Sequence, residues 1–312
     1  MSRRSFLFLQ GVCSPFFFRL ANQLADGISK FYAVRIEPLI FGIRRRRRLL
    51  QFGLLEHMQI LKAQLDFGHS ISCRGQLCEP LVRRYDNYYR RFSHIRFDQP
   101  CFMQGSGILA ILDLRNYDEY QDYLRQLSKK SGNFYRDANK ARRKGYAVHQ
   151  FQYQNHTPDI CEIRKSLKIR SFGPVIDAFV LTVEALGGAL ETLHPLATPQ
   201  CPKHWEIFFG VFIAQPGYMQ GNLTLNEKLV AYARLHRIGN TVRYAEFIGH
   251  GNHMQNGVMM LLHNNMIEWL LDASNTWARG VCYVTFGAIE QGNEGLLFWK
   301  KKALFVPHIL LS

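Results

Sequence analysis

Thr241-Val-Arg-Tyr-Ala-Glu246-Phe-Ile-Gly249-His250-Gly251-Asn252-His253-Met254-Gln-Asn-Gly257 reads as a strand that turns directly into a helix. Its first half is rich in β-branched and aromatic residues, and glycines gather where the direction must change. The helix is expected from Met254 to Ala273. Upstream, Trp205–Gln215 and Lys228–Ile238 read as two more strands, with turns at Pro216-Gly217 and Gly239-Asn240. Downstream come a strand (Val281–Phe286), a short helix (Gly295–Ala303) and a closing strand (Val306–Leu311). Further upstream, Ile108–Leu112 is a strand, Asn116–Lys144 a helix with a basic end, and Tyr146–Tyr153 a strand. Thr157-Pro158-Asp159 starts a helix to about Arg170, with Thr157 as N-cap. Residues 175–186 repeat a helical pattern that Gly187-Gly188 ends.

This order is the layout of a GNAT fold: α/β, with a mixed central sheet flanked by helices. In such a fold the strand-to-helix turn at 246–257 is the place for an anionic donor. Backbone N–H groups at a helix start point outward and its dipole favours negative charge. Gly249, Gly251 and Gly257 would let the backbone approach a pyrophosphate, with Asn252 beside them. An ordinary turn with Asn and Gly as breakers reads equally from the same residues.

Two further stretches resemble the FemAB family. Gly280-Val-Cys-Tyr-Val-Thr285-Phe-Gly-Ala, followed by Gly292-Asn-Glu-Gly-Leu-Leu-Phe-Trp-Lys300-Lys301-Lys302-Ala-Leu-Phe, is similar to the closing segment of FemAB-like transferases. Thr285 stands where many members have Asp. Ser131 to Gly145, with Tyr135, Arg136, Asn139, Lys140, Ala141, Arg142 and Lys144, resembles the basic helix that opens their second half. Arg136, Lys140 and Arg143 share one face by spacing. The resemblance covers roughly residues 125–312. It implies transfer of an acyl or aminoacyl group to an amine on a cell-wall, capsular or exopolysaccharide precursor. It implies acyl-CoA or an aminoacyl-tRNA as donor, and nucleic acid as a partner only in the second case. This chain lacks the full Arg/Gln-x-x-Gly-x-Gly/Ala pattern of CoA-dependent members.

Such a transfer needs a positioned base and a group near the developing oxyanion. Glu246 and His250 are the candidate bases, with His253 behind them, and Tyr232 is a candidate proton donor. Tyr232, Arg234 and Tyr244 are expected to alternate toward one edge, where they either line the acceptor site or, for the tyrosines, pack in the core. Arg170, in Arg170-Ser-Phe-Gly-Pro174, would bind a carboxylate or phosphate, or else would close a helix C-terminus.

The chain has 312 residues and a formal net charge of +15. Residues 1–100 hold 17 Lys+Arg against 7 Asp+Glu, so most of the excess is N-terminal. A basic 1–100 region and a 101–312 transferase domain are therefore expected, with Pro100 near the boundary. Residues 1–35, including Phe6-Leu-Phe-Leu-Gln-Gly-Val-Cys13-Ser-Pro15-Phe-Phe, resemble the start of capsule-polysaccharide biosynthesis and export proteins. Glu37-Pro38 and five arginines, Arg44 to Arg48, then replace that family's Gly-Asp segment, so glycosyltransferase activity is not carried over. Contact with capsule-assembly proteins is what this resemblance implies. Leu50, Leu54, Leu55, Met58 and Leu61 predict a helix over 49–70. Residues 80–97, with Tyr85, Tyr88, Tyr89, Arg90, Arg91 and Phe92, either engage a polymer or pack as a helix, and aromatics at this spacing favour packing.

The opening Met1-Ser-Arg-Arg is an incomplete signal-peptide pattern, broken by Gln10 and Pro15. No stretch reaches the ~18 apolar residues of a spanning helix. A cytoplasmic protein, in peripheral contact with the inner membrane face, is expected. Seven scattered cysteines make no disulfide framework. Cys73 and Cys78 lack a second pair at zinc-ligand spacing, so no metal is expected. A catalytically degenerate GNAT-fold binding protein in a polysaccharide assembly complex is the alternative to an enzyme.

Overall fold

The computed structural model describes residues 61–68, 73, 78–90, 92, 108–170, 173–175, 182–188, 192–289 and 292–311. The capsule-like start, the signal-like pattern and the arginine run Arg44–Arg48 lie outside the described residues.

An eight-stranded mixed sheet forms the centre. Its strands are β1 (Leu61–Ala63), β2 (Leu109–Asp113), β3 (Tyr146–Gln150), β4 (His204–Ala214), β5 (Glu227–Ile238), β6 (Thr241–Gly249), β7 (Tyr283–Ala288) and β8 (Val306–Leu310). They run in the order β1-β8-β2-β7-β6-β5-β4-β3. From β3 to β6 every neighbour is antiparallel. Then β6 pairs β7 in parallel, and β1 pairs β8 in parallel. A parallel step needs a crossover. Helix α4 (Val258–Leu271) supplies the one from β6 to β7. The GNAT layout expected from the sequence is present, with strand boundaries within two or three residues of those expected.

Helices cover both faces. Helix α2 (Tyr120–Arg143) lies along α4 on one face. Helices α1 (Cys78–Arg90) and α3 (Thr157–Lys165) lie on the other, and α5 (Glu294–Lys302) packs with α2. Such two-sided cover explains why the central strands are apolar on both faces. On α1, Tyr85 and Tyr89 sit one turn apart and are buried, while Arg83 and Arg84 face out. They join Ala63, Leu109, Ile111, Ile238, Tyr283 and Leu310 in one core cluster. The aromatic-basic stretch is thus a packing helix. The described residues of 61–92 contribute an edge strand and a layer of core to the same sheet as the described residues of 108–310.

Several elements differ from expectation. Leu61–Ala63 is a strand, not the end of a helix over 49–70, because pairing with β8 outweighs local spacing. Residues 49–60 lie outside the described residues. Helix α2 is broken at Ser131 (φ −150°, ψ 50°), ahead of Gly132, a pair that commonly kinks helices. Helix α3 is capped at His156 rather than Thr157 and ends at Lys165. Ile169–Arg170 then pairs with Gly173–Pro174. Within 175–186 the described part holds one turn, Glu184–Leu186. Helix α4 begins after Gly257, with a separate turn at Gly251–Met254. Among the described residues no helix is long and apolar enough to cross a membrane.

One buried cation ties the loop after α4 to β5. Arg237 donates to the carbonyls of Gly239 (2.9 Å), Trp277 (2.6 Å) and Arg279 (2.7 Å). Burial pushes its ordinary value of 12.5 down to about 10, so it remains cationic at neutral pH. Arg237→Met removes the guanidinium donor from all three carbonyls, and Trp277 keeps only the Trp205 indole N–H (3.0 Å). It is expected to cost at least about 3 kcal/mol in urea unfolding, since charged hydrogen bonds contribute roughly 1.5–3 kcal/mol each. A loss below about 1 kcal/mol would contradict this role.

Candidate functional site

Strands β6 and β7 pair only from Thr241–Arg243 to Tyr283–Thr285. Beyond this β6 continues to Gly249 against β5, and β7 continues to Ala288 against β2. The two strands therefore part company, and Glu246, Phe247, Phe286 and Gly287 at the opening are half-buried. On the α4 side the opening is floored by aromatics: Phe247 packs at a tilt against Trp299 (5.0 Å between centroids) and edge-on against Phe286 (5.6 Å).

A β-bulge decides what faces the other side. Tyr244 pairs with Leu235 and Glu246 with Arg234, leaving Ala245 as the extra residue. Paired residues across an antiparallel ladder share a face, so the bulge flips Glu246 away from Tyr244. Glu246 thereby joins Tyr232 and Arg234. Tyr232 donates its hydroxyl proton to Glu246 Oε2 (2.7 Å). Arg164, on the last turn of α3, donates to the same oxygen (2.7 Å) and to the Tyr232 hydroxyl (3.0 Å). Arg234 reaches Glu246 Oε1 at 3.4 Å and Glu206 at 2.6 Å. Glu206 also meets His236 Nε2 at 2.6 Å, and His236 Nδ1 bonds the Tyr85 hydroxyl. The result is one polar chain across α3, β6, β5, β4 and α1.

Within it the roles separate by exposure. Tyr232 is fully buried, and burial plus the Glu246 charge pushes its phenol far above the ordinary range. It stays protonated and holds the carboxylate in place. Arg164 and Glu246 are about one-fifth exposed and Arg234 about one-third, so these three can meet a ligand. Burial disfavours protonation of His236, against the pull of Glu206.

Other candidates lie elsewhere. Tyr244 is on the opposite face, bonded to His263 Nδ1 (2.9 Å), and does not line the face of Tyr232 and Arg234. His250 caps the turn at 251–254: its Nδ1 accepts from Asn252 N–H (3.2 Å), and its Nε2 lies 3.2 Å from Glu162. With Nδ1 accepting, Nε2 carries the proton, so neither nitrogen is poised toward Glu246. His253 bonds the Tyr146 hydroxyl (2.7 Å). Arg170 donates to the carbonyls of Gly249 (3.4 Å), Ile163 and Arg164, closing the end of α3. That is the helix-terminus alternative.

The glycines of the turn face protein rather than an open cradle. A side chain at Gly249 would meet the Met259 sulfur at 2.7 Å, and one at Gly251 would meet Leu167 at 2.7 Å. The Gly251 N–H is bonded to Ser166 Oγ (2.9 Å). Gly257 has φ +84° and lies against Asp137 of α2, whose carbonyl oxygen would be 2.2 Å from an added Cβ. These glycines serve close packing, and Asn252 is exposed beside them. The basic end of α2 adjoins this turn through Lys144 Nζ to Asn256 (2.6 Å). Arg136, Lys140, Arg142 and Arg143 are exposed along it.

No family model and no curated protein sequence matches the chain. Solved structures show partial likeness. The C-terminal domain (DUF2156) of a protein assigned as a lysylphosphatidylglycerol synthetase from Agrobacterium fabrum aligns with a TM-score of 0.35 and 11% identity, over 64% of this chain and 58% of that one. L-PGS from Bacillus licheniformis aligns with a TM-score of 0.34 and 13% identity, also over 64% and 58%. The chain thus matches just under three-fifths of the length of either.

Reading the sequence alone missed Arg164, Glu206 and His236. Their partners are 28 to 151 positions away, so no local pattern announces them. It also missed a second cysteine–histidine pair. Cys201-Pro-Lys-His204 is a Cys-x2-His spacing, and the fold brings it to Cys73 and Cys78, correcting the expectation that no partner pair exists.

Proposed function

We propose that this protein is an aminoacyltransferase that moves an amino acid from a tRNA ester to an amine on an envelope or capsular precursor. The observation that carries the reading is the placement of Glu246, by the bulge, at the rim of the opening between β6 and β7 with Arg164 and Arg234 beside it. The opening takes an extended acyl group. The acceptor amine attacks the ester carbonyl, and Glu246 Oε1, whose one hydrogen bond among the described residues is long at 3.4 Å, accepts the amine proton. The carbon–oxygen ester bond breaks, and the proton passes to the leaving ribose oxygen. The two guanidiniums face the developing oxyanion.

Two features support an aminoacyl-tRNA over acyl-CoA. The turn glycines pack against Met259, Leu167 and Asp137, so they meet protein and not an open cradle for a pyrophosphate. The exposed cations of α2 beside that turn suit a polyanion. The acceptor class follows from the FemAB-like resemblance.

The test uses the full chain, tRNA charged with labelled amino acids, and glucosamine as an amine-bearing probe. Protein-dependent movement of label from tRNA to the sugar is expected, weakening as salt rises. Thiol release from acetyl-CoA in place of label movement would make the donor acyl-CoA. Inactivity with both donors would leave the binding-protein alternative.

A further inference from the structure

Away from the polar chain, four side chains converge near the entry to β4. Cys73 lies in the segment between β1 and α1, and Cys78 opens α1. Cys201 and His204 lie at the entry to β4. Their ligand atoms are all within 4.8 Å of one another. Cys73 Sγ is 4.0 Å from Cys201 Sγ and 3.3 Å from His204 Nδ1, and Cys201 Sγ is 3.6 Å from that nitrogen. Zinc–sulfur bonds of about 2.3 Å and zinc–nitrogen bonds of about 2.0 Å, at tetrahedral angles, put ligands roughly 3.8 Å (S to S) and 3.5 Å (S to N) apart. The two sulfur–nitrogen separations fall on either side of the second value, and the sulfur–sulfur separation is slightly longer than the first.

The histidine is already oriented. His204 Nε2 lies 2.7 Å from the Phe67 carbonyl, which only accepts, so Nε2 carries the proton. The Nδ1 lone pair is thereby turned toward the sulfurs. A backbone carbonyl on the far nitrogen is the usual outer support of a metal-bound histidine. Cys78, Cys201 and His204 are nearly fully buried. The spacing, Cys73-x4-Cys78 and Cys201-x2-His204, falls in the range of structural zinc ligands. Three thiolates and zinc carry one net negative charge.

We propose that Cys73, Cys78, Cys201 and His204 bind one zinc ion in a closed, structural Cys3His site. Four protein ligands leave no open position for substrate. The ion pins the segment between β1 and α1 to the start of β4. The Asp66 carbonyl already accepts from Asn240 N–H (2.9 Å) on the neighbouring β5–β6 turn. The ion thus adds an anchor for the edge strand and α1 beside the pairing of β1 with β8 and the packing of Tyr85 and Tyr89 on the sheet.

The full chain, purified under reducing conditions without added metal, is to be analysed for zinc by mass spectrometry and reloaded with cobalt. Close to one zinc per chain is expected, and cobalt should give visible bands of a tetrahedral site with thiolate charge transfer. The pair Cys201→Ser and His204→Ala should lose both metal and bands. His204→Cys should keep the metal and strengthen the charge-transfer absorption, which separates ligand loss from misfolding. Three results would each overturn the proposal: no metal retained after reloading with equimolar zinc, a cobalt spectrum unchanged in His204→Cys, or a Cys73–Cys201 disulfide in the native chain.

Discussion

Glu246→Gln is expected to lower aminoacyl transfer by about 10²- to 10⁴-fold, the usual contribution of a positioned general base. The amide keeps the shape and still accepts from the Tyr232 hydroxyl and the Arg164 guanidinium, so the bulge and the β5–β6 register should persist. It cannot take a proton from the acceptor amine. The ion pairs it breaks are partly exposed, so the stability change should be within about 1 kcal/mol. Transfer is read with charged tRNA and glucosamine, and folding by circular dichroism. Full activity in a folded Glu246→Gln protein would remove Glu246 from the chemistry.

The second large effect is on acid stability. His263 of α4 is fully buried between Tyr123 (3.0 Å to Nε2) and Tyr244 (2.9 Å to Nδ1). Burial pushes it from its ordinary 6.5 down to about 3. The folded chain therefore refuses a proton that the unfolded chain accepts below about 6.5. The stabilising contribution is complete above that pH and is lost as the pH falls toward 3. The slope is up to about 1.4 kcal/mol per pH unit, and the total is on the order of 5 kcal/mol. Urea titrations from pH 7 to pH 4 should show His263→Gln losing less stability on acidification than the parent. Equal losses would mean that His263 is not the group that titrates. His253 and His308 are held down by burial in the same direction, so some acid sensitivity will remain in the variant.

Much of this fold was readable from residue pattern. The strands from Trp205 to Gly249 announce themselves because both faces are covered and turn residues fall at their ends. Helix α1 could be read from Tyr85 and Tyr89 one turn apart. What local pattern cannot carry is a change of phase. Strict alternation from Tyr244 places Glu246 on the same face as Tyr244, and one unpaired residue, Ala245, reverses that. The same blindness applies to partnerships across long separations. Arg164 is an ordinary last-turn arginine until α3 is laid against β6. Cys73 and Cys201 are unrelated until β1 and β4 are placed. The turn glycines were legible as necessary, and their reason was not. A glycine required by Asp137 in a neighbouring helix and one required by a ligand look alike in sequence.

The placement of β1 has a consequence for how the chain acquires its shape during synthesis. Leu61 pairs with His308, 247 positions later, and β2 finds its neighbours only in β7 and β8. The middle strands can form a hairpin stack as they leave the ribosome, since β4, β5 and β6 follow one another in sequence. The outer three strands cannot close until β8 has emerged. Loop closure over such distances is slow and leaves apolar edges waiting. During that interval the inner faces of α1 and β2 are bare, and they stay so until β8 is available to pair.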